Sequence, residues 1–182
     1  FNEKLPGVLF NLFHMDTFTQ MKGVADGSLD VGFIRKPEHY TSGLAGFVVC
    51  RRHFWAAIPK NHPLAANDVI RPASLADEKF VALTVELEAG MWVNISAVTP
   101  PSSSTQVTQR AADTFTLLTM VGAGIGLCIV PEQLARLDIP GVVFRRIAGA
   151  SRMAEIAVVH RKNEADRAVK AYIESLRKMR DR

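Results

Sequence analysis

The four residues Asp113-Thr114-Phe115-Thr116 combine a carboxylate, two hydroxyl groups and an aromatic ring at the start of a predicted helix. The first backbone amides of a helix have no partner inside it, and the helix dipole places positive charge there. Such a start can bind the carboxylate or phosphate of a small ligand. The same residues also suit ordinary helix-start chemistry, in which Asp or Thr side chains cap these amides. The sequence leaves both interpretations open.

Further candidate residues follow or close predicted strands. They are Ile34, Arg35 and Lys36 after Leu29–Phe33, Thr84 and Val85 at the end of Phe80–Val85, and Thr108 with Gln109, which close an extended segment. In open α/β sheets, ligands bind outside the carboxyl ends of the strands. These positions therefore predict a site for a small carboxylate or aromatic acid, with Arg35 as its cation. The alternatives are a surface charge beside a turn for Arg35 and a strand-end hydroxyl without a ligand for Thr84.

The sequence lacks the patterns that indicate catalysis, a cofactor or a metal. The five histidines never recur at the i, i+4 spacing of a helical metal site, and Ser102–Ser104 lack the Gly-x-Ser-x-Gly elbow of a hydrolase. The run Gly122–Gly126 follows a helix and precedes a strand, whereas a phosphate-binding glycine loop follows a strand. We therefore expect no enzyme, no cofactor and no metal site.

The composition is that of a globular domain. Hydrophobic residues make up 48% of the chain and charged residues 22%, and no apolar run approaches the ~18 residues that span a bilayer. Cys50 and Cys128 lie in separate apolar segments, which is typical of buried free thiols in the reducing cytoplasm. The net charge of +4 points to anionic partners, but six of the 22 basic residues lie in the last sixteen positions. That clustering favours a solvated helix face over a nucleic-acid groove.

The elements that must position these residues alternate between strands and helices. Val8–Met15 is short, apolar and partly alternating, which predicts a strand. A helix follows over residues 17–25, with Asp16 as its cap and Gly27 as its end, and then a second strand, Leu29–Ile34. Strand, helix and strand in this order predict a βαβ unit with parallel pairing.

The remaining elements continue this alternation and predict an α/β fold, with no apparent internal repeat. Strands are predicted at Leu44–Val49, Phe54–Ile58, Phe80–Val85, Leu127–Val130, Val142–Ile147 and Glu155–His160. Helices or helical turns are predicted at Pro72–Asp77, at Glu88–Val98, after Asp113, after Pro131 and in the C-terminal segment.

Six segments together resemble the effector-binding domain of LysR-type transcriptional regulators. They are Leu5–Val8, Gly27–Phe33, Ile58–Ala65, Leu75–Phe80, Met120–Pro131 and His160–Asn163. Each segment is short, but their order and spacing extend over nearly the whole chain. The resemblance to the family rests on the set rather than on any one motif.

The resemblance implies a periplasmic-binding-protein-like fold of two lobes, each with a mainly parallel sheet flanked by helices, joined by two crossovers. Lobe one would comprise residues 1–51 and 149–182, and lobe two would comprise residues 52–148. A small effector would bind between the lobes. The winged helix-turn-helix domain of the family is absent from this chain, and the first strand and helix of lobe one are expected to be missing as well.

The function implied by the resemblance is ligand sensing in a bacterial transcription factor of the cytoplasm. A small, anionic effector would change the packing of a homodimer or homotetramer, and DNA would be reached only through the absent domain. Helix 17–26 would lie beside lobe two of the partner, with Thr19 and Gly23 on its exposed face. Thiol sensing is not expected, because Cys50 and Cys128 lie outside the segment around residues 86–91 where peroxide-sensing members carry their thiol.

The alternative is a solute-binding protein of a transport system with the same bilobal fold. It would require a secretion signal upstream of this chain. The turn His62-Pro-Leu-Ala65 favours the regulator. No membrane partner is expected in either case.

Overall fold

The computed structural model describes residues 7–84, 95–96, 98–100, 105–149 and 153–180. The chain divides into two compact units: unit 1 comprises Phe1–Cys50 and Glu155–Arg182, and unit 2 comprises Arg51–Ala154. The lobe limits given above, 1–51 with 149–182 and 52–148, remain a proposal. The helix predicted at Glu88–Val98 falls largely outside the described residues.

Nine strands and three α-helices are assigned in the described residues. In chain order they are α1 (Thr17–Asp26), β1 (Val31–Arg35), β2 (Leu44–Arg52), β3 (Phe54–Pro59), β4 (Val69–Ile70), β5 (Lys79–Leu83), β6 (Gln106–Ala111), α2 (Thr114–Gly122), β7 (Cys128–Pro131), β8 (Val142–Ile147), β9 (Ala154–Arg161) and α3 (Arg167–Arg180). Among the described helices, none combines the length and the apolar character needed to cross a membrane.

Unit 1 packs α1 against a three-stranded sheet in the order β1-β9-β2. Asp16 caps α1 by accepting a hydrogen bond from the Thr19 amide at 3.0 Å. Gly27 ends the helix with φ +85°, a left-handed conformation that favours glycine. Buried apolar side chains of the helix and all three strands form the core: Val24, Ile34, Leu44, Ala157 and Val159. The sequence predicted this helix and its limits correctly to within one residue, but Gly23, predicted on its exposed face, is buried, and a Cβ atom there would lie 2.9 Å from the side chain of Leu29.

The strand predicted at Val8–Met15 is wrong, and with it the βαβ unit. Residues 8–15 form no strand in the structure, and β1 pairs with β9 in the antiparallel direction, with Val31 opposite His160. An alternating apolar pattern specifies which side chains share a face, but it becomes a strand only when a neighbour supplies backbone hydrogen bonds. Within the described residues, no strand lies beside this segment.

Unit 2 contains a four-stranded sheet in the order β4-β8-β3-β7 and a parallel pair, β5-β6. Strand β3 runs antiparallel to both β7 and β8, whereas β4 runs parallel to β8. A parallel bridge between Phe80 and Leu127 links β5 to the residue before β7. The fold is therefore α/β with mixed sheets, and the expectation of mainly parallel sheets is corrected. The parallel pair β5-β6 is separated by the long connection that a crossover requires.

Two of the predicted helices are shorter than expected. Pro72–Leu75 and Glu132–Arg136 are single 3₁₀ segments without a side-chain cap. Proline sets the backbone angle that starts such a turn, but in both segments no side chain caps the first amides. In contrast, α2 has the expected Asp113 cap, and Asp166 caps α3 by accepting from the amides of Ala168 and Val169.

The guanidinium of Arg161, at the end of β9, fastens the carboxyl end of α1 to the sheet. Its Nη1 donates to the carbonyl oxygens of Val24 and Leu29 at 3.2 and 2.8 Å. Its Nη2 lies 2.6 Å from the Glu164 carboxylate. Burial opposes ionisation of Glu164, but the hydrogen bond from the Asp166 amide and the charge of Arg161 outweigh it, so the pKa of Glu164 is lowered. Arg161 thus satisfies one carbonyl group in the last turn of α1, at Val24, and one in the segment that follows the helix, at Leu29.

Replacing this guanidinium tests its role. Arg161→Met is expected to lower the free energy of unfolding in urea by about 1–3 kcal/mol, because it leaves two carbonyl groups without this donor and the Glu164 carboxylate without its cationic partner. Lys162→Met, at the exposed neighbouring position, is the control and should leave the midpoint unchanged. Equal midpoints for the Arg161→Met variant and the wild type would contradict this role.

Candidate functional site

The amino end of α2 is closed by the carboxylate of Asp113. Its Oδ1 accepts hydrogen bonds from the amides of Phe115 and Thr116 at 2.8 and 2.9 Å, and its Oδ2 accepts from the Thr116 hydroxyl at 2.7 Å. The Thr116 hydroxyl, the Thr116 amide and the Phe115 amide together lower the pKa of Asp113. The helix start therefore already holds an anion, and that anion belongs to the chain.

Because of this capping, fewer polar groups of the four predicted residues are available to a ligand. Asp113 and Thr116 are engaged with each other, and two of the first amides of α2 are occupied. Within the described residues, the Thr114 hydroxyl has no hydrogen-bond partner, and the ring of Phe115 is 71% exposed. A hydroxyl group and an aromatic face remain available at this helix start, rather than a cluster of free amides.

In unit 1, the three residues predicted at the end of β1 lie in different surroundings. Ile34 is buried in the core. Arg35 is half-buried at the last position of the strand, and burial lowers the pKa of its guanidinium below the ordinary value. Lys36 is tied to Glu155, through its amide to the Glu155 carbonyl at 3.0 Å and through its ammonium to the carboxylate at 3.7 Å. Arg35 is the residue of this group best suited to an anion, because its charge is the most desolvated.

In unit 2, Thr84 was predicted within the last part of a strand but lies directly after β5, and its amide donates to the carbonyl of Ala111 at 2.9 Å. This hydrogen bond places Thr84 two residues from the Asp113 cap along the neighbouring strand. Val85 lies outside the described residues. The structure therefore brings Thr84 and the start of α2 together at one edge of unit 2.

Thr108 and Gln109 occupy a different place from the one expected. They were predicted to close an extended segment, but β6 continues to Ala111, so both residues lie within the strand. The Thr108 hydroxyl donates to the Phe80 carbonyl at 3.2 Å, near the beginning of β5. Gln109 is paired opposite Val81. The residues around Gln109 give no clear signal for the end of the strand, and the prediction therefore ended the strand too early.

Sequence reasoning missed a short repeat that gives unit 1 a counterpart of this helix start. Asp16-Thr17-Phe18-Thr19 repeats Asp113-Thr114-Phe115-Thr116, and in both copies a glycine with positive φ follows eleven residues after the aspartate. Asp16 caps its helix through the amide and hydroxyl of Thr19, which lower the pKa of Asp16. The identical tetrapeptides were the signal that was available in the sequence.

The two helix starts expose the same groups. Phe18 is 78% exposed, close to the value for Phe115. Among the described residues, the hydroxyl of Thr17 has no hydrogen-bond partner, as is the case for Thr114. Each unit thus presents a free hydroxyl and an exposed ring at the first turn of a capped helix.

A cavity of about 230 Å³ lies at the other end of unit 2. Its lining includes His62, Glu78, Lys79 and Gly126, and Lys79 is the first residue of β5, whereas Thr84 follows the last. His62 Nδ1 accepts from the Leu64 amide, and its Nε2 faces Glu78 at 3.3 Å. None of the predicted site residues lines this cavity.

Metal and thiol chemistry find little support in the described structure. Within residues 7–84, 95–96, 98–100, 105–149 and 153–180, no three His, Cys, Asp or Glu side chains converge to hold a metal ion. Cys128 is buried in β7, and burial raises the pKa of its thiol to about 12. Cys50 is half-buried, not fully buried as predicted, because it lies near the end of β2.

Comparison with known proteins gives a consistent result. The sequence profile of the LysR substrate binding domain matches residues 1–181. The HTH-type transcriptional regulator BudR of Raoultella terrigena is 25% identical over 179 residues, which is 96% of this chain and 60% of that protein. The uncharacterized HTH-type transcriptional regulator YnfL of Escherichia coli K12 is 28% identical over 87% of this chain and 54% of its own length. The chain thus spans little more than half the length of these relatives.

Solved structures with the same fold include regulators of this kind. The oxidized form of OxyR superposes with a TM-score of 0.81 at 22% identity, covering 99% of this chain and 85% of that one. The BenM effector binding domain with its effector benzoate gives 0.77 at 18% identity, covering 98% and 81%. Full-length CbnR in complex with target DNA gives 0.80 at 20% identity, covering 98% of this chain and 60% of that one. At these identities the likeness shows the periplasmic-binding-protein-like fold.

The Asp113 cap predicts a dependence of stability on pH. The folded-state pKa of Asp113 lies below its ordinary value of 3.8. The cap therefore contributes stability above that value and loses it as the pH falls through the folded pKa. We expect the stability advantage of the wild type over Asp113→Asn, measured by urea unfolding, to be largest at neutral pH and to vanish in acid. Asp138→Asn, at an exposed loop position, is the control; an advantage that stays constant with pH would count against the cap.

The burial of Cys128 predicts selective thiol reactivity. In the folded chain at mildly alkaline pH, a thiol reagent should leave Cys128 unmodified, because its thiolate is not formed there. Peptide mass mapping after the reaction identifies the modified position, and unfolding in urea should expose both cysteines. Rapid labelling of Cys128 in the folded chain would show that its thiol in β7 is not buried as described.

Proposed function

This chain belongs to the LysR substrate binding domain family, and we propose that it binds a small organic anion as the sensing part of a transcriptional regulator. The observation that carries the proposal is the half-buried Arg35 at the end of β1, in a chain whose helix starts expose hydroxyl groups and aromatic rings. A partly desolvated guanidinium binds a carboxylate more strongly than a fully solvated one. Arg35 is therefore assigned to the charge of the effector.

The remaining groups support a proposal for the chemical class of the effector. The hydroxyls of Thr17, Thr84 and Thr114 suit the second oxygen of a carboxylate or a hydroxyl substituent. The rings of Phe18 and Phe115 suit an aromatic or aliphatic body. A phosphate is less well matched, because the Asp113 and Asp16 carboxylates occupy the helix amides and would repel a dianion. An aromatic or aliphatic carboxylic acid fits these groups best.

The names of the relatives support a regulator rather than a transporter or an enzyme. BudR and YnfL are named HTH-type transcriptional regulators, and the solved structure of BenM holds its effector benzoate. We infer that the whole protein contacts DNA through a helix-turn-helix domain outside this chain, acts in the cytoplasm, and assembles as a dimer or tetramer. No enzymatic step is assigned to the chain.

Transmission of the signal then requires only that the effector bind one arrangement of the domain more tightly than another. An effector that binds one arrangement of the domain better than another shifts the populations by that difference, and coupling of about 1–3 kcal/mol is a usual size for such a signal. Arg35 and Thr17 lie in unit 1, and Thr84 and Thr114 lie in unit 2.

The proposal predicts the effect of removing the guanidinium. In a thermal-shift screen of aromatic and aliphatic carboxylates that begins with benzoate, a bound acid should raise the melting temperature of the chain. Arg35→Met should weaken the binding of that acid about tenfold to a hundredfold, because a charge-assisted hydrogen bond is lost. Arg136→Met, at an exposed position of unit 2, is the matched control. Binding that survives Arg35→Met unchanged would remove Arg35 from the site.

A further inference from the structure

We propose that the cavity at the start of β5, called the β5 cavity below, is a second ligand site that takes a small amino acid or another compact zwitterion. It lies entirely within unit 2. The lining residues that matter for the proposal are Pro59, His62, Glu78, Lys79, Ile125 and Gly126. The proposal does not rest on the carboxylate site, because no residue assigned to that site lines the β5 cavity.

The first argument is a backbone amide that the sheet leaves without a partner. Strands β3 and β7 pair in the antiparallel direction as far as Ala57 opposite Cys128. The same register would set Gly126 opposite Pro59, but the Pro59 carbonyl accepts from the His62 amide at 2.9 Å instead. Among the described residues, the Gly126 amide finds no acceptor, although Gly126 is buried. Buried amides are nearly always paired, so this donor suits an acceptor group of a ligand in the cavity.

The second argument is a carboxylate with one oxygen still available. His62 Nδ1 accepts from the Leu64 amide at 3.2 Å, so the neutral imidazole carries its proton on Nε2. That proton faces Oε2 of Glu78 at 3.3 Å, and the two side chains are only 23% and 26% exposed. In the part of the chain that the structure describes, Oε1 of Glu78 has no hydrogen-bond partner. A half-buried carboxylate oxygen of this kind suits an ammonium group.

The third argument is the arrangement of charge and apolar surface around these two groups. Lys79, the first residue of β5, brings an ammonium group to the border of the cavity, and Asp77 adds a second carboxylate. Ile125, which is 42% exposed, supplies an apolar wall. The carboxylate of a zwitterion is matched by Lys79 and the Gly126 amide, and its ammonium group by Glu78. A ligand with a single charge leaves one side of the cavity without a counterpart.

The walls of the β5 cavity are fixed by hydrogen bonds of the chain itself. The Leu127 amide donates to the Lys79 carbonyl at 2.8 Å, and the Arg145 guanidinium holds the neighbouring turn by donating to the Ala65 carbonyl at 2.7 Å. A Cβ atom at Gly126 would lie 2.8 Å from the same Lys79 oxygen, so glycine permits this close approach. Drug-sized ligands occupy pockets of about 300–1,000 Å³. The volume of about 230 Å³ here suits a smaller molecule, such as valine.

The experiment is an NMR titration of the isotopically labelled 182-residue chain with valine, isovalerate and isobutylamine at neutral pH. The three compounds share one aliphatic body, but isovalerate lacks the ammonium group and isobutylamine lacks the carboxylate. Valine should produce saturable chemical-shift changes at the amides of Glu78, Ile125 and Gly126. Each analogue should bind about tenfold more weakly or less, because one charge-assisted hydrogen bond is missing.

A pair of variants tests the role of the carboxylate. Glu78→Gln keeps the length of the side chain and an acceptor for His62 but removes the charge, so it should weaken the binding of valine about tenfold. Asp138→Asn, at an exposed position of the same unit, is the matched control and should leave valine binding unchanged.

Three outcomes overturn the proposal. Isovalerate or isobutylamine binding as tightly as valine would show that the cavity does not select a zwitterion. Equal weakening by Glu78→Gln and Asp138→Asn would show that only the overall charge matters. No saturable change at Glu78, Ile125 and Gly126 would remove the site. Binding at the carboxylate site is measured at Arg35 and Thr84, so failure of either proposal is distinguished from failure of the other.

Discussion

Two aspartate carboxylates determine how this chain can meet a ligand, because they close the amino ends of α1 and α2. Asp16 and Asp113 accept the hydrogen bonds of the first amides, and the neighbouring threonine hydroxyls hold them in place. An external anion would have to displace these contacts and overcome the charge of the carboxylate. The first amides of α1 and α2 are thus already occupied inside the chain, and the proposed function assigns the attraction for an effector anion to Arg35.

Helix α1 carries the proposed ligand contacts of unit 1 in its first turn and is held to the sheet near its other end. Thr17 and Phe18 lie in the first turn, and the guanidinium of Arg161 donates to the Val24 carbonyl near the carboxyl end. Under the proposed function, a ligand that displaces the first turn of α1 would also disturb this contact with β9.

The sequence predicted features that depend on local chemistry and failed where a neighbour decides the outcome. The limits of α1 and the Asp113 cap followed from capping residues and the αL glycine at Gly27. Residues 8–15 have a strand pattern, but no strand is described beside them, and the direction of β9 relative to β1 cannot be deduced from either segment. Thr108 and Gln109 were misplaced because nothing in the local sequence marks the end of β6.

The positions of the candidate residues in the fold were predicted in part for the same reason, whereas their role stays a prediction. Residue type and position after a strand identified Arg35 and Thr84, and both lie at strand ends in the structure. The sequence left open whether Asp113 caps the helix or contacts a ligand, because both roles require the same residues. Only the hydrogen bonds of Asp113 show that capping occupies these amides. The second helix start, at Asp16, was hidden by its distance of nearly a hundred residues from the first.

The most direct test of the sensing account is an NMR titration of the isotopically labelled chain with the carboxylate that gives the largest thermal shift. The account predicts saturable chemical-shift changes at the amides of Thr17, Arg35, Thr84 and Thr114. Changes confined to the residues around His62 and Glu78, or no saturable change with any acid of the screen, would contradict it.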